Sequence, residues 1–108
     1  MTIKVIIERT VKQENKEPLL SLLTKLREKA IHQTGYISGE TLSSLDNPGT
    51  HVVISTWNIL QDWRTWEKNQ ERRVLIALID NLLTAPARAG VFLPSAASLT
   101  WPDLPEGV

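Results

Sequence analysis

The chain of 108 residues contains no cysteine, and its charge has no excess of either sign. Without cysteine, disulfide bonds, thiolate nucleophiles and thiolate metal sites are excluded. Twelve Lys and Arg balance twelve Asp and Glu. Proteins that bind nucleic acid or anionic membranes carry clustered basic residues in excess, so neither is expected as a partner.

Long apolar runs and clustered metal ligands are also lacking. No run approaches the roughly 18 apolar residues of a membrane span. The N-terminus begins as a strand and shows no signal-peptide pattern, so a cytoplasmic location is expected. The two histidines, His32 and His51, are far apart and are expected at the surface or as capping residues. Their spacing fits no metal site, and no glycine-rich phosphate loop is present, so no metal and no cofactor are expected.

The hydrophobic pattern predicts the element order β-α-β-β-α-α-β. Alternating β-branched residues mark the strands, and apolar residues at spacings of three and four mark the helices. The turn signal Asp46-Asn47-Pro48-Gly49 joins the second and third strands as a hairpin. The predicted strands are 3–11, 36–45, 52–57 and 89–93, and the predicted helices run from the Asn15 cap to Gly35, over about 59–69 and over about 71–83. Asn58 and Gln61 resemble a capping pair for the second helix. The third helix is expected to point five apolar residues inward: Val74, Leu75, Leu78, Ile79 and Leu82.

This order predicts an α+β, ferredoxin-like βαββαβ fold with helices on one face of an antiparallel four-stranded sheet. We assign residues 1–94 to the domain. The final fifteen residues, 94–108, hold three of the six prolines. Residues 95–108 are expected to form an irregular tail pinned by Trp101.

The sheet face without helices is expected to be partly apolar. In the first strand Ile3, Val5 and Ile7 fall on one side and Ile6 on the other, and the third strand likewise has apolar residues on both sides. A solvated face shows cleaner polar alternation. The sequence therefore predicts a homodimer in which a second copy covers this face.

Three of the four tryptophans lie at the end of the third strand and on the helix that follows. Trp63 and Trp66 are three residues apart, so they share one helix face. Such rings can line an apolar pocket for a flat ligand, and they can equally be core residues. The spacing leaves both alternatives open.

The chain resembles the antibiotic biosynthesis monooxygenase domain family over about residues 3–93. The segments that carry the resemblance are GYISGETL (35–42), the hairpin turn, STW (55–57), WRTWE (63–67) and Arg72. The resemblance implies a dimeric α+β barrel of ferredoxin-like subunits. It also implies activities that include cofactor-independent oxygenation of quinol-like or polyphenol-like substrates, and haem degradation in one branch.

The sequence departs from the family pattern at several positions. Many members carry His on the helix after the strand-three Trp, whereas this chain has Trp66 and Glu71 near those positions. The haem-degrading branch uses a strand-one Asn, a helix Trp and a haem-ligating His. Counting along the chain places Glu8 at the Asn position and Trp66 at the Trp position, and no His occurs near Ile76. Haem degradation is therefore not expected.

The candidate site residues follow from the resemblance together with their side-chain chemistry. Glu8, if buried, could act as the base for a phenolic proton, and Arg72 could stabilise a developing oxyanion. Trp63 and Trp66 would shape the substrate pocket, and Tyr36 could hydrogen-bond a ligand. Each has a structural alternative: an ion pair or strand-edge exposure for Glu8, a solvated helix position for Arg72, and core packing for the three aromatic rings.

The predicted function is cofactor-free oxygenation of a small aromatic or quinol-type substrate. The alternative is a non-catalytic dimeric module that binds an apolar small molecule, and the absence of the usual histidine favours it.

Overall fold

The computed structural model of the chain describes residues 1–94. Four strands form one antiparallel sheet in the order β2-β3-β1-β4, so β1 and β3 are central. The strands are β1 (Ile3–Thr10), β2 (Tyr36–Ser43), β3 (Thr50–Trp57) and β4 (Arg88–Phe92). This confirms the predicted ferredoxin-like α+β fold. The predicted tail, 95–108 with Trp101, lies outside the described residues.

Three α-helices cover one face of the sheet. A single 3-10 turn (Gln13–Asn15) leads into α1 (Lys16–Ala30), and α2 (Leu60–Glu67) and α3 (Gln70–Asp80) follow the hairpin. Asn15 is the N-cap residue of α1, as predicted, but its side chain forms no capping hydrogen bond and donates instead to the Leu82 carbonyl at 3.3 Å. None of the described helices combines the length and the apolarity that a bilayer span requires.

The core lies between the helices and the inner face of the sheet, the face that carries Ile3, Val5, Ile7 and Arg9 of β1. Each large apolar side chain buried here stabilises the fold by roughly 1.5–3 kcal/mol. The buried apolar residues are Ile3, Val5, Ile7, Val11, Leu19, Leu23, Ala30, Trp57, Trp63, Trp66, Leu75 and Ile79.

Two expectations about individual burial are wrong. Val74 and Leu78 were expected to point inward from α3, but they are 52% and 49% exposed, while Leu75 and Ile79 form the buried stripe. His51, expected at the surface, is 2% exposed. It lies on the inner face of β3, where its Nδ1 is 3.1 Å from the Ser43 hydroxyl.

The outer face of the sheet is uncovered within residues 1–94. Ile6 lies opposite Ile54 across the β1–β3 ladder and opposite Gly90 across the β1–β4 ladder. The Phe92 ring lies over Gly90, where a Cβ atom would come within 2.7 Å of the ring. Apolar and charged side chains therefore share this face, as the strand pattern predicts.

Candidate functional site

A small cavity of about 60 Å³ lies between the inner face of the sheet and the helices; we call it the aromatic cavity. Aromatic rings form much of its wall because β3 ends in Trp57 and α2 begins three residues later. The rings that line it belong to Tyr36, Trp57, Trp63 and Trp66. Arg9, Arg27 and Arg72 also line it and place cationic side chains beside the apolar wall.

The rings hold each other in fixed orientations. The centroids of Tyr36 and Trp57 are 5.4 Å apart with planes at 89°, an edge-to-face pair. Trp57 and Trp63 are 5.8 Å apart with planes at 58°. Trp57 Nε1 donates to the Ser55 hydroxyl at 3.0 Å. Trp63 Nε1 is buried without an acceptor among the described residues.

The Tyr36 hydroxyl has space because position 39 is glycine. A Cβ atom on Gly39 would come within 2.5 Å of this hydroxyl. The ladder between β2 and β3 is irregular between Tyr36 and Ser38, as at a β-bulge, and such irregularities redirect side chains. Tyr36 thus lines the cavity wall together with Gly39.

Arg72 lies in the first turn of α3, where both its backbone amide and its guanidinium make contacts with neighbouring residues. Asn69 caps the helix by accepting from the amides of Glu71 and Arg72 at 2.8 and 3.4 Å. The Arg72 Cζ lies 5.0 Å from the Trp63 ring centroid, a cation–π contact, and Nη1 donates to the Glu67 carbonyl at 3.4 Å. Burial lowers the pKa of Arg72, while Glu67 and Asp80 oppose that shift.

Arg9 is a cation on an otherwise apolar strand face. Arg9 is 3% exposed, and its Nε has no hydrogen-bond partner within residues 1–94. Burial, and then the positive charge of Arg72, lower the pKa of Arg9 to about 10, although Asp80 acts in the opposite direction. The two guanidinium groups are therefore close enough to repel each other.

A wider groove of about 620 Å³ adjoins the aromatic cavity. Ile7, Arg9 and Arg72 line both spaces, so we call this place the junction. The other walls of the groove come from the end of α3, the segment after it and β4: Ile76, Asp80, Leu83, Thr84, Ala85, Pro86, Ala87 and Ala89.

The structure brings four of the five predicted site residues together. Tyr36, Trp63, Trp66 and Arg72 all line the aromatic cavity. Glu8 does not, because its side chain lies on the outer face of β1, where Oε2 is 3.8 Å from Nη1 of Arg88. Side chains alternate along a strand, so the inward neighbours are Ile7 and Arg9. The predicted role of Glu8 as base has no support from this placement.

Five further polar or aromatic residues line the cavity and were not among the predicted site residues: Arg9, Arg27, Thr41, Ser55 and Trp57. For Arg9 a signal was present: it shares a strand side with Ile3, Val5 and Ile7, and a charge on an apolar strand side is unusual. Among residues 1–94, no three His, Asp or Glu side chains lie close enough together to hold a metal ion.

Comparison with known proteins gives one family and one fold. The model of the antibiotic biosynthesis monooxygenase family matches residues 2–77. No curated protein matches the chain in sequence. Many solved structures share the fold.

Three of these structures illustrate the likeness. SnoaB of Streptomyces nogalater, described as a cofactor-independent oxygenase, is 19% identical, with a TM-score of 0.77 over 94% of this chain and 97% of its own. A Mycobacterium tuberculosis protein is 18% identical, with a TM-score of 0.82 over 92% and 100%. A conserved Methanosarcina mazei protein is 17% identical, with a TM-score of 0.81 over 85% and 91%. At these identities the likeness shows the fold alone.

Proposed function

Because the chain belongs to the antibiotic biosynthesis monooxygenase family, we propose that it is a cofactor-independent monooxygenase of a small aromatic or quinol-type substrate. The observation that carries the proposal is the aromatic cavity, in which Tyr36, Trp63 and Trp66 meet the Arg72 guanidinium. The description of SnoaB as a cofactor-independent oxygenase supports the same reaction class.

In such a reaction the substrate itself supplies the electrons. An activated methylene loses a proton, and its carbanion transfers one electron to O₂. The two radicals combine to a peroxide that takes up a proton and then loses water. The balance is R₂CH₂ + O₂ → R₂C=O + H₂O. Arg72 would stabilise the negative charge of the deprotonated substrate, since a fixed cation in a poorly solvated site acts strongly on developing charge.

The sizes of the two spaces suggest how a substrate is held. The aromatic cavity offers about 60 Å³, room for O₂ or a very few water molecules. The groove, at about 620 Å³, lies in the range of small-molecule sites. We place the substrate ring in the groove and its reacting carbon at the junction, facing the small cavity that admits O₂.

Oxygen uptake tests the proposal. Protein stripped of metals and flavins with a chelator and gel filtration is given a panel of anthrones and naphthoquinols while dissolved O₂ is recorded. Ala89→Phe should abolish uptake, because Ala89 lines the groove. Arg88→Phe is the matched control: it adds the same ring on the outer face of the same strand and should leave the rate unchanged. Uptake that is insensitive to Ala89→Phe would contradict the placement.

One observation favours a second candidate function, a non-catalytic module that binds an apolar small molecule. Within the described residues, no His, Asp or Glu lines the aromatic cavity. If the panel gives no O₂ uptake while its members still quench tryptophan fluorescence saturably, the binding module replaces the enzyme.

We further propose that the protein acts as a homodimer. On the outer face of the sheet, Ile6 and Ile54 form an apolar pair, with half-exposed Leu42 and Phe92 on the neighbouring strands. A second copy packed against this face would bury these side chains.

A further inference from the structure

We propose that the junction binds a singly charged anionic oxygen group, so that the ligands of this site are aromatic acids or ionised phenols and enols rather than neutral aromatics. The inference deepens the proposed function, on which it rests for the aromatic part of the ligand. It adds to the site a residue with no role so far, Arg9. It also assigns a substrate class, defined by charge.

The first argument is the unbalanced charge of Arg9. A buried guanidinium ordinarily forms an ion pair or several hydrogen bonds, because removing it from water is costly. Arg9 is 3% exposed, its Nε has no partner, and no ion pair of Arg9 is found within residues 1–94. Arg9 lines both the cavity and the groove, so a ligand at the junction would lie beside it.

The second argument is that Arg72 adds a further cation at the same place. Arg72 also lines both spaces and forms no ion pair among the described residues. Burial and mutual repulsion lower the pKa of Arg9, and burial lowers the pKa of Arg72, yet both groups stay charged near neutral pH. Two arginines that line one space suit a carboxylate or an enolate, because guanidinium groups form strong charge-assisted hydrogen bonds with anionic oxygens.

The charges around the junction set the charge of the ligand. Asp80 is the acidic residue that lines the groove, and it acts electrostatically on both arginines. Glu67 also acts on Arg72, but its carboxylate is paired with Arg64 at 3.1 Å. Arg27, a third cation, lines the cavity but not the groove. Among the residues that line the groove, two cations and one carboxylate leave one positive charge, which a monoanion neutralises.

The walls of the groove indicate the shape and polarity of the uncharged part of the ligand. Apart from Asp80 and Thr84, the groove residues beyond the junction are apolar: Ile76, Leu83, Ala85, Pro86, Ala87 and Ala89. A flat hydrocarbon body fits these walls, and its anionic edge then meets the two guanidinium groups. A substrate that binds as an anion has already lost its proton to solvent. The cavity would then need no base to remove that proton.

Isothermal titration calorimetry with 2-naphthoate and 2-naphthamide tests the inference. The two probes share one ring system and differ in charge. We expect naphthoate to bind at least tenfold more tightly than naphthamide. A third probe, 2-naphthol, should bind more tightly as the pH rises through its own ionisation, which tells whether phenolates are accepted as well as carboxylates. Equal affinity for naphthoate and naphthamide would overturn the inference.

Substitutions test which residues cause the preference for naphthoate over naphthamide. Arg9→Gln and Arg72→Gln should each reduce the ratio of the two affinities towards one, and Arg9→Lys should restore part of it. Asp80→Asn should raise naphthoate affinity severalfold. Arg73→Gln, which removes an exposed cation from the same helix, is the control and should leave the ratio unchanged. A ratio that falls equally in Arg73→Gln would show a general charge effect and contradict the site.

The two proposals can fail separately. If naphthoate binds through Arg9 and no substrate gives O₂ uptake, the anion site stands and the oxygenase fails. If neutral and anionic quinols are oxidised equally and Arg9→Gln changes neither rate, the oxygenase stands and the anion site fails. Thermal unfolding of each variant, followed by circular dichroism, establishes that the protein under test is folded.

Discussion

At the scale of single residues, Arg9 should reduce the stability of the ligand-free fold. Burial and the charge of Arg72 lower its pKa from the ordinary arginine value to about 10. This shift corresponds to roughly 3 kcal/mol of penalty on the charged form. We expect Arg9→Met to raise the free energy of unfolding by ~1–3 kcal/mol, because a thioether of similar length fills the site without a charge. Urea unfolding measures this.

The lowered pKa of Arg9 also predicts how its effect on the free energy of unfolding depends on pH. A lowered folded-state pKa means that the unfolded chain holds the proton more tightly, so the penalty is complete below about pH 10 and fades only above it. The gain from Arg9→Met should therefore be constant between about pH 6 and 9. Arg73→Met, at an exposed position, should change stability by less than about 0.5 kcal/mol. A loss of stability in Arg9→Met would mean that the guanidinium contributes packing that outweighs its charge.

His51 predicts a second, acidic pH effect. Burial, and then the positive charge of Lys16, lowers the pKa of His51 in the folded protein. The unfolded chain therefore binds the proton more readily, and stability should fall as the pH drops below about 6.5, by at most about 1.4 kcal/mol per pH unit. His51→Gln should flatten the profile between about pH 5 and 6.5. His32→Gln, at an exposed position, should leave the profile unchanged; flattening in both variants would contradict the assignment to His51.

The residue scale also shows where sequence reasoning stops. Strand alternation was sufficient to place Ile3, Val5, Ile7 and Arg9 on one side of β1. The site assignment relied instead on counting along the chain to Glu8. An error of one position transfers a strand residue to the opposite face, so the count selected the outer carboxylate and missed the inner cation.

At the scale of elements, the Asn69 cap determines how α3 presents Arg72. Asn69→Ala removes the acceptor of two helix amides and should destabilise the protein by ~1 kcal/mol. It should also reduce the affinity for 2-naphthoate, because Arg72 lies in the turn that the cap closes. Asn69→Asp should retain most of the stability.

Asn58 provides the matched control for this cap. The sequence predicted a capping pair of Asn58 and Gln61 for α2, but the N-cap residue is Ile59, without a side-chain hydrogen bond. Asn58→Ala should therefore change the free energy of unfolding by less than about 0.5 kcal/mol. An effect as large as that of Asn69→Ala would indicate a contact beyond the cap.

The order and type of the elements were predictable, whereas their ends and exposed faces were less so. Periodicity located α3 correctly, but it assigned Val74 and Leu78 to the core beside Leu75 and Ile79. The apolar stripe of α3 is wider than the surface that α1 and the sheet bury against it. A sequence pattern records which side chains are apolar, not how many the neighbouring elements can cover.

At the scale of the whole molecule, the uncovered sheet face predicts the assembly. Light scattering at micromolar concentration should give about twice the chain mass of 12.2 kDa. Ile54→Glu should shift the protein to monomer, because it places a charge in the centre of the outer face. Val74→Glu, on the exposed side of α3, should leave the dimer intact. If Val74→Glu alone dissociates the dimer, the interface lies on the helices.

The ring cluster of Tyr36, Trp57 and Trp63 has an optical consequence. Two indoles with centroids 5.8 Å apart and planes at 58° are close enough for their electronic transitions to couple. Such a pair gives a signed doublet in circular dichroism, and the amplitude of the doublet changes with the distance and angle between the rings. Tyr36, 5.4 Å from Trp57, transfers its excitation to that indole. The cluster therefore serves as a built-in spectroscopic reporter: a ligand entering at the junction can be followed without any label.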